Sequence, residues 1–433
     1  TTGETNVLVG ANSGDALTTG GNNVAIGYGT LDAQTTVSGN TAVGHEGLSG
    51  NTSGTGGVAV GYRAGKANTT GNNNTAIGYT ALTANTTAAQ NTAVGSQAMI
   101  TNTTGGNNTG LGMNALFANT TASDNTSVGY GSMENTTTGA GNVAVGSEAF
   151  KANTIGAENT AVGYRALYSA TTADNNTAYG RLAMFAQTTG GLNTVVGAAA
   201  MQTSTTGANS TAIGTTACSS LTTASDACAL GYVALYSLTT GNNNVGVGVG
   251  AGYAITGGAN NICVGKDSGR TDAPGGNITT GSNSISMGNN SITAAYIKVS
   301  WTVTSDERDK TDVEDLDVGL DFVNKLTPVT YRWDQRSSYL TSAQDDLNDM
   351  VPDGTYKKDQ LNLGFLAQDV EKLEEELGYK VSDKTNLTTN LTEDGKQYSL
   401  KYERFVPILV KAVQELSDQV TDLKDQLDKC NCE

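Results

Sequence analysis

The first 290 residues repeat one short pattern of apolar and polar positions. A glycine recurs from Gly10, Gly27, Gly44 and Gly61 through to Gly265, sixteen times at intervals of 17 residues with no insertion. The residue before it is Val, Ile, Leu or Tyr in all copies, and the residue two before is mostly small. Three before stands a β-branched residue in all copies but the one with Cys228, and four before stands Asn in thirteen of sixteen. Ala-Leu or Ala-Met follows the glycine three to four residues on, then a Thr-Thr-Gly-Asn type of turn.

This pattern predicts short strands. Large and small residues alternate over a few positions, which is the period of a strand and not of a helix. Gly and Asn supply the turns, where left-handed backbone is needed. Seventeen residues are too few for a helical-hairpin repeat. Constant spacing points to stacked coils, because one extra residue in the stacked part breaks the register. The expected fold is mainly β: a parallel β-solenoid rising about 4.8 Å per coil, so about 75 Å over sixteen coils. Its core is expected to hold one Val or Ile and one Leu, Met or Phe per coil. The row of small residues is expected to let a second chain approach closely.

The period ends after Gly265. The next equivalent glycine, Gly288, comes 23 residues later, after a turn-rich insert at Asp272 to Gly276. Residues 292–304 read as an extended β segment carrying Tyr296 and Trp301. Then the pattern becomes helical at Leu316, Leu320, Phe322, Val323 and Leu326, and strand-like from Leu326 to Trp333. Two more ordered runs follow, Gly364 to Glu371 and Tyr398 to Tyr402. Near the end, Val406, Leu409, Val413, Leu416, Val420, Leu423 and Leu427 alternate three and four apart. That is a heptad seam on a helix over about 403–430, with Pro407 in its first turn. The expected organisation is a shaft at 1–290, a linker at 291–304 and an α+β domain at 305–433 that ends in a coiled-coil helix.

Composition narrows the function. The chain has 55 Gly, 4 Pro and 15% charged residues, well below the usual quarter. Residues 301–433 carry 16 Lys+Arg and 29 Asp+Glu, against 8 and 12 before them, so the C-terminal third holds most of the net −17. An acidic chain argues against nucleic acid or an anionic membrane as partner. No run of 18 apolar residues predicts a membrane span, and no signal peptide is read. A chain that begins with Thr is expected to be a fragment or a processed product. The shaft carboxylates fall in no fixed column and His45, the one histidine, lies at a variable surface position, so no metal site, cofactor or acid–base pair is expected there. The Asn column reads as turn or ladder hydrogen bonds, and the Thr pairs as β-formers at a wet turn in preference to an ice-binding face. Cys218, Cys228 and Cys263 read as small buried thiols. Cys430 and Cys432 read either as a frayed tail or as links between chains.

Two resemblances bear on function. Asn74 to Gly78, Asn91 to Gly95 and Asn159 to Gly163 read Asn-Thr-Ala-(Val/Ile)-Gly. They resemble the head repeats of trimeric autotransporter adhesins, with longer copies here, which implies a left-handed parallel β-roll assembled from three chains. The run Ser305-Asp306-Glu307-Arg308-Asp309-Lys310, followed by Pro328 to Trp333, Gly364 to Val370 and the final helix, closely resembles the endosialidase-type intramolecular chaperone. That is a self-cleaving serine peptidase domain at the end of phage tail spikes and fibres. The resemblance implies that the domain drives trimer assembly and then cuts itself off at the Thr304–Ser305 bond. It implies Ser305 as nucleophile, Lys310 as its base, and Asp306 and Arg308 as supports. Taken alone, Ser-Asp-x-Arg reads as a helix N-cap. Val with Leu along the seam favours two strands in an isolated coiled coil; the two resemblances favour three.

The expectation is therefore a homotrimeric viral tail fibre or appendage, assembled in the host cytoplasm and joined to other virion proteins upstream. It would attach to a glycan or protein receptor on a host surface, with autoproteolysis as its one enzymatic act. The alternative is a trimeric adhesin on a bacterial cell surface, or a passive structural spacer, with the same chaperone.

Overall fold

A computed structural model describes residues 3–298, 302–341 and 346–430. They divide into two compact units, Thr1–Ser268 with Thr279–Met287, and Gly269–Ile278 with Gly288–Glu433.

The first unit is a parallel β-solenoid. Seventeen three-residue strands, β1 (Val7–Val9) to β17 (Ile285–Met287), form one sheet in which each strand pairs with the next. Partners lie 17 residues apart, as in Thr75↔Thr92, Ala76↔Ala93 and Ile77↔Val94. The last pair, Ile262↔Ile285, spans the longer interval. Each coil turns at its repeated glycine. Gly95 has φ +135, and a Cβ there would lie 2.5 Å from the carbonyl oxygen of Gly112 in the next coil. Two side-chain-bearing residues then take left-handed backbone, Gln97 at φ 60 and Met99 at φ 48. Such a residue costs about 1–2 kcal/mol. Met99 offsets the cost by complete burial and by donating its N–H to Ala115 O at 3.0 Å.

The inside of the coil differs from the sequence expectation. The middle residue of each strand points inward, and Ala76, Ala93, Ala144 and Ala161 are buried. The Val or Ile before the glycine points outward; Ile77 is 37% exposed. The small residues therefore fill the chain's own core and offer no row for a neighbour. The reason is the close approach of the turn: a Cβ added at Gly110 would already lie 3.3 Å from Met99 Cγ, and Val195 is the largest of the buried middle residues. The rest of the core is the Ala-Leu or Ala-Met pair after the glycine, such as Ala81 with Leu82, and two columns of asparagine.

Those asparagines are the polar skeleton of the shaft. In the column the sequence singled out, each amide oxygen accepts the backbone N–H of the asparagine one coil on: Asn91 N to Asn74 Oδ1 at 3.0 Å, Asn108 N to Asn91 Oδ1 at 2.9 Å, and so on to Asn193. A second column links side chain to side chain. Asn85, Asn102 and Asn119 each donate Nδ2 to the Oδ1 of the residue 17 before, at 2.9, 3.0 and 2.8 Å. A threonine column outside donates hydroxyls along the stack, for example Thr103 Oγ1 to Thr120 O at 2.9 Å. The second asparagine column breaks at Thr136, which leaves the buried Asn119 Oδ1 without a partner. Thr136→Asn is therefore expected to complete the ladder and raise stability by about 1 kcal/mol, read as a shift in the urea midpoint.

His45 is not a plain surface residue. It is half-buried and stacked between Tyr28 and Tyr62 at 5.1 and 5.2 Å, in a ladder that continues to Tyr79. Cys218 and Cys263 are buried, which pushes their thiols up to about 12 and about 11. Cys228 is half-buried and Cys430 exposed; Cys432 and Trp301 lie outside the described residues.

The second unit is small and α+β. Helix α1 (Leu320–Lys325) starts where Leu320 N donates to Glu415 Oε2 at 2.7 Å, so a side chain from the last helix caps it. Strand β18 (Val329–Tyr331) pairs antiparallel with β19 (Asn362–Gly364). Helix α2 (Ala367–Glu376) follows, then the hairpin β20 (Thr389–Leu391) with β21 (Tyr398–Leu400), and helix α3 (Phe405–Cys430). Val318, Phe322, Val370, Leu373, Phe405 and Ile408 form the core. The insert joins this unit: Gln397 Nε2 donates to Thr271 O at 3.0 Å, and Asn290 N to Asp272 O at 2.8 Å. Among residues 292–304, the described ones lie in no strand.

Candidate functional site

The segment after the linker is short and open. No residue from 302 to 315 is buried. Asp306 is extended at φ −71, ψ 131, and its carboxylate accepts Arg308 N at 3.0 Å, which caps the single 3-10 turn Glu307–Asp309. The N-cap role that the sequence suggests for Asp306 thus exists, on a turn shorter than an α-helix. Arg308 closes the loop with a two-point pair to the same carboxylate, Nε to Oδ1 at 3.0 Å and Nη2 to Oδ2 at 2.6 Å. The guanidinium holds the Asp306 carboxyl below its ordinary range. The pair is exposed, so its contribution to stability is small and its value is geometric.

The turn has a chemical consequence. It reverses the chain over four residues, so Lys310 returns beside Ser305. Lys310 Nζ donates to Ser305 Oγ at 2.7 Å. A lone serine hydroxyl is a weak nucleophile and needs a base in hydrogen-bond reach. Here an amine holds that place, five residues on in sequence. One turn thus carries two hydrogen-bonded pairs, Asp306 with Arg308 and Ser305 with Lys310, and the Thr304–Ser305 bond lies exposed beside them. Among the described residues no group of three metal-binding side chains occurs.

Sequence reasoning missed a second polar centre. Glu374 on α2 is buried, yet five groups donate to it. Leu387 N (3.1 Å) and Thr389 Oγ1 (2.7 Å) reach Oε2; Thr388 N (2.7 Å), Thr388 Oγ1 (2.6 Å) and Thr389 N (3.2 Å) reach Oε1. It ties α2 to the hairpin. The signal was there: Val370, Leu373 and Glu374 share one helix face, and a carboxylate on an apolar face requires donors.

Helix α3 presents a third feature. Its Phe405, Ile408 and Ala412 are buried in the core, while the seam of Val406, Leu409, Val413, Leu416, Val420, Leu423 and Leu427 lies exposed, Val413 at 66%. Among the described residues no helix is long and apolar enough to cross a membrane. No curated protein and no solved structure matches the chain. Residues 305–379, beginning at Ser305 itself, match the model of the Peptidase_S74 family, the chaperone of endosialidase.

Proposed function

We propose that this chain is a homotrimeric fibre protein whose C-terminal unit guides assembly and then detaches by cutting the Thr304–Ser305 bond. The observation that carries the reading is the contact of Lys310 Nζ with Ser305 Oγ at 2.7 Å, at the first residue of the family match.

The chemistry balances within the chain. Lys310, once neutral, takes the proton of Ser305 Oγ. The oxygen attacks the Thr304 carbonyl carbon, the C–N bond breaks, and the Ser305 nitrogen leaves as an amine that picks up a proton. The acyl group is now an ester on Oγ. Water hydrolyses it to the Thr304 carboxylate and restores the Ser305 hydroxyl. Lysine acts as a base only when burial or nearby positive charge lowers its pKa. In the single chain Lys310 is exposed. Packing of neighbouring chains around the segment would bury the Lys310 amine, so cleavage would report a completed assembly. The exposed α3 seam supports the association. The shaft then acts as an appendage carrying its surface to a host receptor, a glycan or a surface protein, on a virion; a bacterial cell surface remains the alternative setting for the same device.

Expressing the full chain tests this. Wild type is expected to give two bands on a denaturing gel, with an intact mass that places the break between Thr304 and Ser305. Ser305→Ala is expected to give one full-length band and still to be a trimer by light scattering. One uncut band in both proteins sinks the cleavage; monomers sink the assembly.

A further inference from the structure

The shaft carries a long strip that a single chain leaves unpartnered. On each strand the two outer residues face away from the core, as in Val143 and Val145 or Ile262 and Val264, all exposed by more than a third. Over seventeen stacked strands these outer positions hold Val, Ile, Leu, Thr, Cys, Tyr and Met, and no charged residue. Charge sits elsewhere on the coil. Glu46, Arg63 and Lys66 form one ion cluster, and Glu134, Glu148, Lys151 and Arg165 another, all on the turn after the glycine. A seventeen-rung strip from which charge is missing has the composition of an interface core.

We infer that this outer strand face is the surface through which copies of the chain pack along the shaft, three strips facing one common axis. The inference rests on the assembly proposed above and goes further, because it says which face is covered and that the contact runs the length of the shaft. Two physical points select a second copy as the occupant. The first is period: apolar side chains recur once per coil, about 4.8 Å apart, and a partner must present groups at the same rise to fill the gaps between them. Another copy of this chain does so in every register that is a whole number of coils. The second is area. Sixteen rises by about 10 Å of width give about 750 Å² per chain, close to the 800 Å² per partner of a standard stable interface. The face that the sequence alone suggested, the small-residue row, is excluded because it is already buried inside the coil.

The test is thiol protection in the full chain. Cys228, Cys430 and Cys432 are replaced by Thr, Ser and Ser, and one new cysteine is placed by Val145→Cys on the strip or by Ile155→Cys, an exposed position on the turn of the same coil. In the assembled protein a maleimide is expected to label Val145→Cys at least about tenfold more slowly than Ile155→Cys, and mild oxidation by oxidised glutathione is expected to link chains only through Val145→Cys. Circular dichroism checks that both fold. A trimer by light scattering in which both sites label at equal rates overturns the inference and leaves the assembly standing on the helix seam. A monomer overturns both. Equal labelling with adsorption to apolar beads assigns the strip to a foreign surface, which also overturns it.

Discussion

Gly112→Ala is expected to open the solenoid locally and to cost about 3–5 kcal/mol. Gly112 sits at φ +138, a region that residues with a Cβ almost never occupy, and the added Cβ would lie 2.4 Å from Gly129 O and 2.7 Å from Gly129 C. Neither neighbour can yield, because both belong to the backbone of the next coil, which is fixed by pairing on its far side. Gly39→Ala is the control. Its φ of +76 is left-handed, but nothing lies within 4 Å of the new Cβ, so about 1 kcal/mol is expected. Urea unfolding gives the difference. Amide exchange locates it: rungs near Gly112 are expected to exchange first, since a stack of repeats is held by its nearest neighbours.

The second large effect is at Glu374. Glu374→Ala is expected to destabilise the C-terminal unit by about 3–5 kcal/mol, because several buried donors lose their acceptor at once. Glu374→Gln is the sharper variant. Its amide oxygen can replace Oε1 toward Thr388, but its NH₂ would face Leu387 N and Thr389 Oγ1, which donate to Oε2 in the native unit. The threonine hydroxyl can rotate to accept; the backbone N–H cannot. A loss of about 1–3 kcal/mol is expected. Trp333 in this unit serves as the fluorescence probe. Equal, small losses in both variants would mean that water fills the carboxylate's place and that the α2–hairpin link is weak.

The repeat was legible because a parallel stack forbids insertions within its paired rungs: one slipped residue moves every side chain to the other face. The two faces of the strand were harder to assign. Alternation groups Asn74 with Ala76, and Thr75 with Ile77, but does not say which pair is inside. The habit of placing the larger apolar residue in the core fails where the inner space is already filled by the Leu or Met of the turn, as at Leu82 and Met99. The left-handed turns at Met99 and Leu116 were invisible, since neither residue type advertises a positive φ. In the C-terminal unit the seam, the strand-like runs and the Ser305-to-Lys310 order could be read from spacing. The capping of α1 by Glu415, 95 residues away, and the ring of donors at Glu374 could not, since they depend on which loops meet in space.

Since the first sixteen rungs are joined by strand pairing at one 17-residue offset, as in Thr75↔Thr92, Thr92↔Thr109 and Thr109↔Thr126, the reach of the molecule comes in whole steps. Duplicating or losing one repeat changes length by a single rise and leaves both new neighbours matched. Any other change in residue number must loop out of the stack, as residues 269–278 do before the last rung, or it lands there as a fault. A gene built this way can lengthen or shorten its product by unequal recombination without having to invent a new fit.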